Sequence, residues 1–213
     1  MKQIYTKMIL AAAVGLLTAS VIHAETLVED KFDAPKKTGR DLSPNRGEWK
    51  LDKGIATCTQ DDKLYEKNKN HGPIMWYSTS FKDATVRFAY QAEKCKQFVF
   101  TLNDDKGHVF RIVHGANGLS VRAWPPAEAG KEAKAAELIP RGTKTPALPE
   151  GSWVAAELRF EGKKCMVSIG DFKQTFEHEA IAKEKTKMGL GFSFGTVSVK
   201  DMKIETTAKT AAR

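Results

Sequence analysis

The sequence contains few cysteines, three in 213 residues, at Cys58, Cys95 and Cys165. Their spacing matches no zinc-binding motif, and their density is too low for a small fold held together by disulfides. Cys165 alternates with Val167 and Ile169, as a core residue of a strand does. If any pair forms a disulfide, we therefore expect it to be Cys58 with Cys95. The fold must depend mainly on a hydrophobic core.

A long hydrophobic run is also absent. The longest apolar stretch, Met8–Val21, is shorter than the ~20 residues that a membrane-spanning helix needs. It follows Lys2 and Lys7 and ends in Ile22-His23-Ala24, which is the pattern of a secretory signal peptide cleaved after residue 24. We therefore expect a protein without a membrane span that is exported to the periplasm or the extracellular space.

Acidic residues are outnumbered, with 26 Asp and Glu against 34 Lys and Arg and a formal net charge of +8. The excess is spread along the chain and forms no aromatic–basic patch, so we expect no nucleic-acid partner. An acidic polysaccharide or an anionic envelope surface fits this charge better. We expect the partner to be a carbohydrate or glycoconjugate, and the sequence leaves the oligomeric state open.

Helix patterns are scarce, whereas apolar and polar residues alternate along most of the chain. The alternation predicts strands at Thr26–Phe32, Glu48–Leu51, Gly54–Thr59, Ile74–Phe81, Ala84–Ala92, Lys96–Asn103, His108–His114, Leu119–Trp124, Trp153–Phe160, Lys164–Ile169, Phe172–Glu177, Met188–Phe194 and Thr196–Ile204. Short turns rich in Gly, Asn and Asp separate many of them. Roughly a dozen such strands indicate an all-β sandwich or barrel. We predict a single domain over 25–206 and a flexible tail over 207–213.

Two segments fit a helix as well as a loop. Ala127–Leu138 is rich in Ala, Glu and Lys and predicts a short exposed helix or a mobile loop. Ala180–Lys187 predicts one helical turn or a crossover between strands. Neither segment has an apolar stripe that would place it in the core.

Five stretches carry a resemblance to a known group: "GEWKLDKGIATC", "FKDATVRFAYQ", "NDDKGHVFRIV", "GSWVAAELRFEGKKCMVSIG" and "KTKMGLGFSFGTVSVKDMKI". Together they resemble the concanavalin A-like, or laminin G-like, jelly rolls of exported bacterial proteins, and within that group domains related to the 3-keto-disaccharide hydrolase family. The resemblance implies a two-sheet antiparallel jelly-roll sandwich. It also implies a carbohydrate ligand and, as one possibility, a hydrolase. The paired glutamates of laminarinases (Glu-x-Asp-x-x-Glu) are absent.

A charged residue interrupts one apolar strand. Strict alternation over His108–His114 places Arg111 between Val109 and Val113, on the face opposite His108. A charge in that setting needs a partner, and we expect Glu157 to supply it. Asp105, in the preceding turn, is close enough in sequence to orient His108 or to bind a cation. The alternative for this segment is an ordinary hairpin turn with charged tips.

Other strands also present a polar face. Arg87 and Glu157 lie on such faces of their strands, and Trp124 ends a strand before a long loop. Trp76 and Trp124 are candidates for stacking on a sugar ring. We therefore predict Arg87, Arg111 and Trp124 as substrate-binding residues. If the protein is catalytic, Glu157, Asp105 and His108 are the candidates for acid–base chemistry.

No metal motif is evident. Asp61, Asp62, Glu66 and His71 fall in one polar segment that offers oxygen ligands for Ca²⁺, but they have no EF-hand spacing, and a solvated loop is the default. We therefore expect no cofactor, with Ca²⁺ as a weak candidate, and no other metal.

Three functions are compatible with these observations. The first is an exported carbohydrate-binding domain, the second is a glycoside or keto-disaccharide hydrolase, and the third is a non-catalytic envelope or assembly protein. One strand bears on the choice, because Met188, Leu190, Phe192 and Phe194 alternate with Gly189, Gly191, Ser193 and Gly195. We expect the first four residues to face the core. The bare glycine face leaves room for a ligand or for a covering loop such as Ala127–Pro149.

Overall fold

A computed structural model describes residues 24–125, 134–140 and 142–207. The predicted signal peptide, apart from Ala24, and the predicted tail beyond residue 207 lie outside these ranges. The strands of the described residues are β1 (Thr26–Asp30), β2 (Arg40–Asp41), β3 (Trp49–Asp52), β4 (Ile55–Thr59), β5 (Ile74–Phe81), β6 (Ala84–Glu93), β7 (Gln97–Asp104), β8 (Gly107–Gly115), β9 (Gly118–Ala123), β10 (Ala136–Glu137), β11 (Trp153–Glu161), β12 (Lys164–Ile169), β13 (Phe172–Glu177), β14 (Lys185–Ser193) and β15 (Thr196–Thr206).

The strands form two antiparallel sheets, and the all-β sandwich prediction is confirmed. The eight-stranded sheet has the order β13-β12-β11-β6-β15-β4-β3, with β1 also paired to β15. The seven-stranded sheet has the order β10-β9-β8-β7-β14-β5-β2. Within the described ranges the helices are α1 (Asp62–Lys67) and one 3₁₀ turn (Glu179–Ala182). Neither has the length or the apolar character of a membrane-spanning segment.

The core lies between the inner faces of the two sheets. Alternate residues of each strand are buried there, as the period-two pattern predicts. Aromatic rings fill its centre, where the rings of Tyr90 and Phe98 stack with centroids 4.0 Å apart. His114 is buried beside them, and its ring lies 2.5 Å from the Tyr90 hydroxyl and 3.1 Å from the Pro146 carbonyl oxygen. Burial lowers the pKa of His114.

A buried ion pair joins the two sheets at one end. Arg40 of β2 donates from Nη1 to both carboxylate oxygens of Asp30 of β1, at 2.9 and 2.8 Å. The Tyr77 hydroxyl of β5 donates to the same carboxylate at 3.0 Å, as does the Phe32 backbone N–H, also at 3.0 Å. Both charged side chains are only 1% exposed. The carboxylate is thus fully satisfied, as a buried charge must be.

A buried lysine holds the segment between β13 and β14 in place. Lys185 is 0% exposed, and its ammonium donates to the Lys82 carbonyl at 2.7 Å and to the Ile181 carbonyl of the 3₁₀ turn. The ammonium also lies 5.1 Å from the centre of the Phe160 ring. Burial lowers its pKa to about 8. The helical turn predicted over Ala180–Lys187 therefore exists, but it ends before Lys185, where β14 begins.

One other expectation differs from the structure. The described end of Ala127–Leu138 contains strand β10, not a helix, because it pairs with β9. The remainder of that segment, apart from residues 134 and 135, lies outside the described residues. All three cysteines are free thiols, with Cys58 and Cys165 buried and Cys95 partly so. Burial raises the pKa of Cys58 to about 12 and that of Cys95 to about 11.

Candidate functional site

A groove of about 330 Å³ lies on the outer face of the seven-stranded sheet. Its floor follows β7, where the outward-facing residues Gln97, Val99, Thr101 and Asn103 line it. Six residue steps along a strand span about 20 Å, so the groove is elongated. Its other lining residues come from β5, β8 and β14, from the loop and short helix that precede β5, and from Arg46 in the segment before β3.

The glycine face of β14 forms part of this surface. A side chain at Gly189 would come within 2.7 Å of the Trp76 ring, and one at Gly191 within 3.3 Å of Ile74. The side chains of Trp76 and Ile74 in β5 therefore cover the glycines and form a wall of the groove. The bare face exists mainly because these neighbouring side chains need the space. The Lys187 ammonium lies 4.7 Å from the centre of the Trp76 ring.

The described part of the Ala127–Pro149 loop does not cover this face. Strand β10 pairs with β9, and the Thr145 hydroxyl accepts a hydrogen bond from the Leu119 N–H at 2.7 Å. The Leu148 N–H bonds the Gly115 carbonyl at 3.0 Å. This part of the loop therefore lies along β8 and β9, whereas β7 separates β8 from the glycines of β14.

A β-bulge changes the face on which His108 lies. The pairing of β7 with β8 shifts between Leu102 and Asn103, so that Leu102 opposes Phe110 and Asn103 opposes His108. The extra residue, Val109, is buried together with Phe110. The expectation that His108 and Arg111 point to opposite faces is therefore wrong, because strict alternation fails at a bulge. Both side chains line the groove.

The contacts of His108 define its protonation. Nη2 of Arg111 lies 2.6 Å from His108 Nε2, and Asn103 Oδ1 lies 2.8 Å from His108 Nδ1. A guanidinium can only donate, so Nε2 must be the unprotonated acceptor and Nδ1 must donate to Asn103. Burial and the neighbouring Arg111 charge both lower the pKa of His108. The imidazole is thus neutral, and its hydrogen bond holds the guanidinium in position.

Arg111 is held by rings and not by a carboxylate. Its guanidinium carbon lies 5.6 Å from the centre of the Trp124 ring, which in turn lies 5.1 Å from the His108 ring. Opposite Arg111 in β9 lies Arg122, which bonds Glu137 at 3.0 Å. Burial and then the Arg122 charge lower the pKa of Arg111. Within the described ranges, the buried Nε of Arg111 has no hydrogen-bond partner.

The expected pairing of Arg111 with Glu157 is wrong, because Glu157 lies on the other sheet. There, Arg87 of β6 opposes Glu157 of β11, and its Nε donates to the carboxylate at 2.7 Å. Nη1 of Arg87 donates to Glu205 of β15, also at 2.7 Å. The Arg87 and Glu157 side chains are 44% and 48% exposed. Sequence alternation identified these outward faces but could not assign them to different sheets.

Asp105 lies in the turn between β7 and β8. Its carboxylate accepts a hydrogen bond from the Thr186 hydroxyl at 3.0 Å. The role of orienting His108, which we expected of Asp105, belongs to Asn103. The structure thus brings His108, Arg111 and Trp124 together, and places Arg87 and Glu157 on the opposite face of the sandwich.

The polar segment around α1 contributes lining residues that sequence reasoning did not assign to the site. Tyr65 of α1 and His71 after it line the groove. Asp61 caps α1 by accepting the Leu64 N–H at 3.0 Å, and an Asp at that position is a helix-start pattern that could have revealed the helix. Among the described residues, no three His, Cys, Asp or Glu side chains come together as metal ligands.

Comparison with known proteins gives a fold and no family. No family model and no curated protein matches the sequence. Among solved structures, the chain is similar to the CBM2 module of the evolved Dit protein of Lactobacillus casei BL23 phage J-1, with a TM-score of 0.61 and 13% identity over 89% of this chain and 98% of that one. It is also similar to the carbohydrate-binding module CBM66 from Bacillus subtilis, with a TM-score of 0.56 and 14% identity over 79% of this chain and 96% of that one.

A sialidase gives a comparable match, with a TM-score of 0.60 and 10% identity over 86% of this chain. The matched region is only 19% of the sialidase, so the chain corresponds to one part of that protein. At such identities the likeness concerns the fold alone. It confirms the jelly-roll resemblance drawn from the sequence at that level.

Proposed function

We propose that this protein is an exported carbohydrate-binding domain that holds a glycan chain in the groove along β7. The observation that carries the proposal is the composition of that groove, in which aromatic side chains stand beside hydrogen-bonding groups on a rigid sheet. An elongated groove of about 20 Å suits several consecutive sugar units. The predicted signal peptide is the basis for the exported location.

The groove offers both kinds of contact that a sugar uses. Trp76 and Tyr65 supply apolar aromatic surface for the C–H faces of a pyranose. Gln97, Asn103 and Arg111 supply amide and guanidinium groups for its hydroxyls. These polar groups project from paired strands, so their positions are fixed before the ligand arrives, which reduces the entropic cost of binding.

Binding is favoured over hydrolysis by the placement of the acids. Glycoside hydrolysis usually needs two carboxyl groups across the scissile bond, one with a raised pKa. Within the described ranges, no Asp or Glu lines the groove. On the opposite sheet, Lys203 and Arg87 lower the pKa of Glu205, which is the wrong direction for a general acid. Glu157 there is bound to Arg87.

An assembly role finds less support, because it needs a contiguous apolar patch. In the described part of the chain, the exposed large apolar side chains are Trp153 and Phe194, at 37% and 38%. Trp153 lies in β11 of the eight-stranded sheet, and Phe194 lies in the turn between β14 and β15. The names of the phage and Bacillus subtilis modules, both of them carbohydrate-binding modules of this fold, support the binding proposal.

Two tryptophans provide a matched test of the location. Trp76 lines the groove, whereas Trp153 lies on the outer face of the opposite sheet beside Lys200. We expect the mature protein to bind at least one glycan of a broad array, and Trp76→Ala to weaken that binding about tenfold through loss of stacking area. Trp153→Ala should bind as the wild type does. No binding across the array, or equal losses in the two variants, would contradict the proposal.

Export has a separate test. Expression of the full chain in a Gram-negative bacterium should give a periplasmic or secreted product whose intact mass corresponds to a chain that starts at Glu25. Retention of the full-length chain in the cytoplasm would contradict the exported location and leave the binding proposal untouched.

A further inference from the structure

The arginines of the protein divide into two groups. Six lie in the described ranges, and four of them form ion pairs with carboxylates. These pairs are Arg40 with Asp30, Arg87 with Glu157 and Glu205, Arg122 with Glu137, and Arg159 with Glu161. Within the same ranges the other two, Arg46 and Arg111, have no carboxylate partner, and both line the groove.

Arg111 is immobilised without being neutralised. Its partners are the neutral His108 ring at 2.6 Å and the Trp124 ring face, neither of which carries a negative charge. Within the described residues its buried Nε has no hydrogen-bond partner. An uncompensated guanidinium in a half-buried site is costly, so its presence there indicates a partner that the described residues do not supply.

The surroundings add positive charge. Arg46 contributes to the lining, and Lys187 lies over the Trp76 ring on the same wall. The described lining contains no carboxylate, so a negatively charged ligand meets attraction without repulsion along the groove. Without Lys2 and Lys7 of the predicted signal peptide, the formal net charge is +6, and it acts in the same direction over longer distances.

We propose that the groove selects glycans that carry anionic groups, carboxylate or sulfate, and that Arg111 makes the decisive contact. This proposal rests on the proposed carbohydrate-binding function and specifies its ligand class. A planar guanidinium donates two parallel hydrogen bonds to a carboxylate or a sulfate, whereas a neutral hydroxyl offers no such match. His108 holds one edge of the guanidinium, which leaves its remaining N–H groups for the ligand.

The test compares polymers that differ only in charge. Calorimetric titration of the mature protein at about 0.15 M salt, where diffuse attraction is screened, would use polygalacturonate against its fully methyl-esterified form, and dextran sulfate against dextran. The first pair tests carboxylate and the second tests sulfate. We expect at least one anionic polymer to bind ten times or more tightly than its neutral counterpart.

Two variants separate a specific site from general charge attraction. Arg111→Gln and Arg159→Gln remove the same charge, but Arg159 lies on the opposite sheet and pairs with Glu161 in its own strand. We expect Arg111→Gln to reduce the preference for the anionic polymer at least tenfold, as the loss of a charged hydrogen bond does, and Arg159→Gln to leave it within twofold.

Each other outcome overturns the proposal in an identifiable way. If charged and neutral polymers bind equally and Trp76→Ala weakens both, the groove binds carbohydrate without charge selection. If Arg111→Gln and Arg159→Gln weaken anionic binding equally, the attraction is diffuse and the groove has no part in it. If no glycan binds, in these titrations or across the array, then the carbohydrate-binding function fails with it.

Discussion

The buried ion pair between Asp30 and Arg40 gives the sharpest test of how this sandwich is held together. Asp30→Asn keeps the shape of the side chain and removes its charge. The Arg40 guanidinium, 1% exposed, is then left buried beside a neutral amide. Removing one partner of a buried pair in this way costs about 3–5 kcal/mol, because the other charge stays out of water. The same chemical change at Glu157, which is 48% exposed, should cost less than about 1 kcal/mol.

The assay is equilibrium unfolding in urea, followed by tryptophan fluorescence. The free energy of unfolding of Asp30→Asn should fall by about 3–5 kcal/mol with an unchanged urea dependence, and the midpoint of thermal unfolding by roughly 10 °C. Glu157→Gln is the matched control. The free energy of unfolding of a domain of this size is about 5–15 kcal/mol in total. The folded state of Asp30→Asn should therefore remain populated at low urea.

A double variant separates the charge effect from damage to packing. Arg40→Met removes the second charge, so Asp30→Asn combined with Arg40→Met should be more stable than the sum of the two single losses predicts. If the losses simply add, or if Asp30→Asn costs no more than Glu157→Gln, the argument from an uncompensated buried charge is refuted.

Three further predictions follow from other parts of the structure. Gly189→Ala places a Cβ 2.7 Å from the Trp76 ring, so the free energy of unfolding should fall by about 1–3 kcal/mol. The fluorescence of Trp76 should also shift, because the ring must move. The pKa of His114 is lowered from 6.5, so the folded state binds fewer protons than the unfolded chain below that pH. The stability that this residue contributes should therefore fall as the pH drops below 6.5, and His114→Gln should flatten this dependence in urea titrations. The pKa of Lys185 is lowered from 10.5 to about 8, so between these values the unfolded chain carries the extra proton. The free energy of unfolding of the wild type should therefore rise relative to Lys185→Met as the pH increases from 8 to 10.5.

Exposed residues of the same types serve as controls. His71→Gln and Lys164→Met make the same chemical changes at exposed positions. If these controls behave like the buried variants, burial is not the cause. Unchanged stability and unchanged fluorescence in Gly189→Ala would contradict the contact with Trp76.

The sequence was sufficient to locate the strands because burial on one face imposes a period of two. Each predicted strand is present, and the alternation of Met188, Leu190 and Phe192 with glycines identifies the inner and outer faces of β14 correctly. The prediction that Phe194 continues the core face is wrong, because Phe194 lies in the turn after β14 and is 38% exposed. The alternation could not determine which sheet a strand joins, since the pattern of a half-buried strand is the same in both. The sequence pattern therefore assigns Arg87, Glu157 and Arg111 to the same kind of outward face. In the structure, Arg87 and Glu157 lie on one sheet and Arg111 lies on the other.

The site depends on two details that leave a weak trace in the sequence. One extra residue at Val109 turns His108 to the face of Arg111, and a bulge of this kind follows from pairing with β7 and not from the β8 sequence alone. Tyr65 reaches the groove because α1 packs against the turn after β14, where the Tyr65 ring lies 5.3 Å from that of Phe194. Both details depend on contacts between segments that are distant in sequence, so local sequence patterns do not reveal them.

The positions of β14 and β15 constrain the order in which the molecule is assembled. Strand β14 separates β7 from β5, and β15 separates β6 from β4 and β1, so these two consecutive strands, one in each sheet, complete both sheets. A nascent chain that has not yet released residues 185–206 holds only unconnected fragments of each sheet, whose long-range pairings form slowly. The domain therefore cannot reach its folded state early in synthesis. This delay suits the proposed export, since passage through a narrow channel requires an unfolded chain.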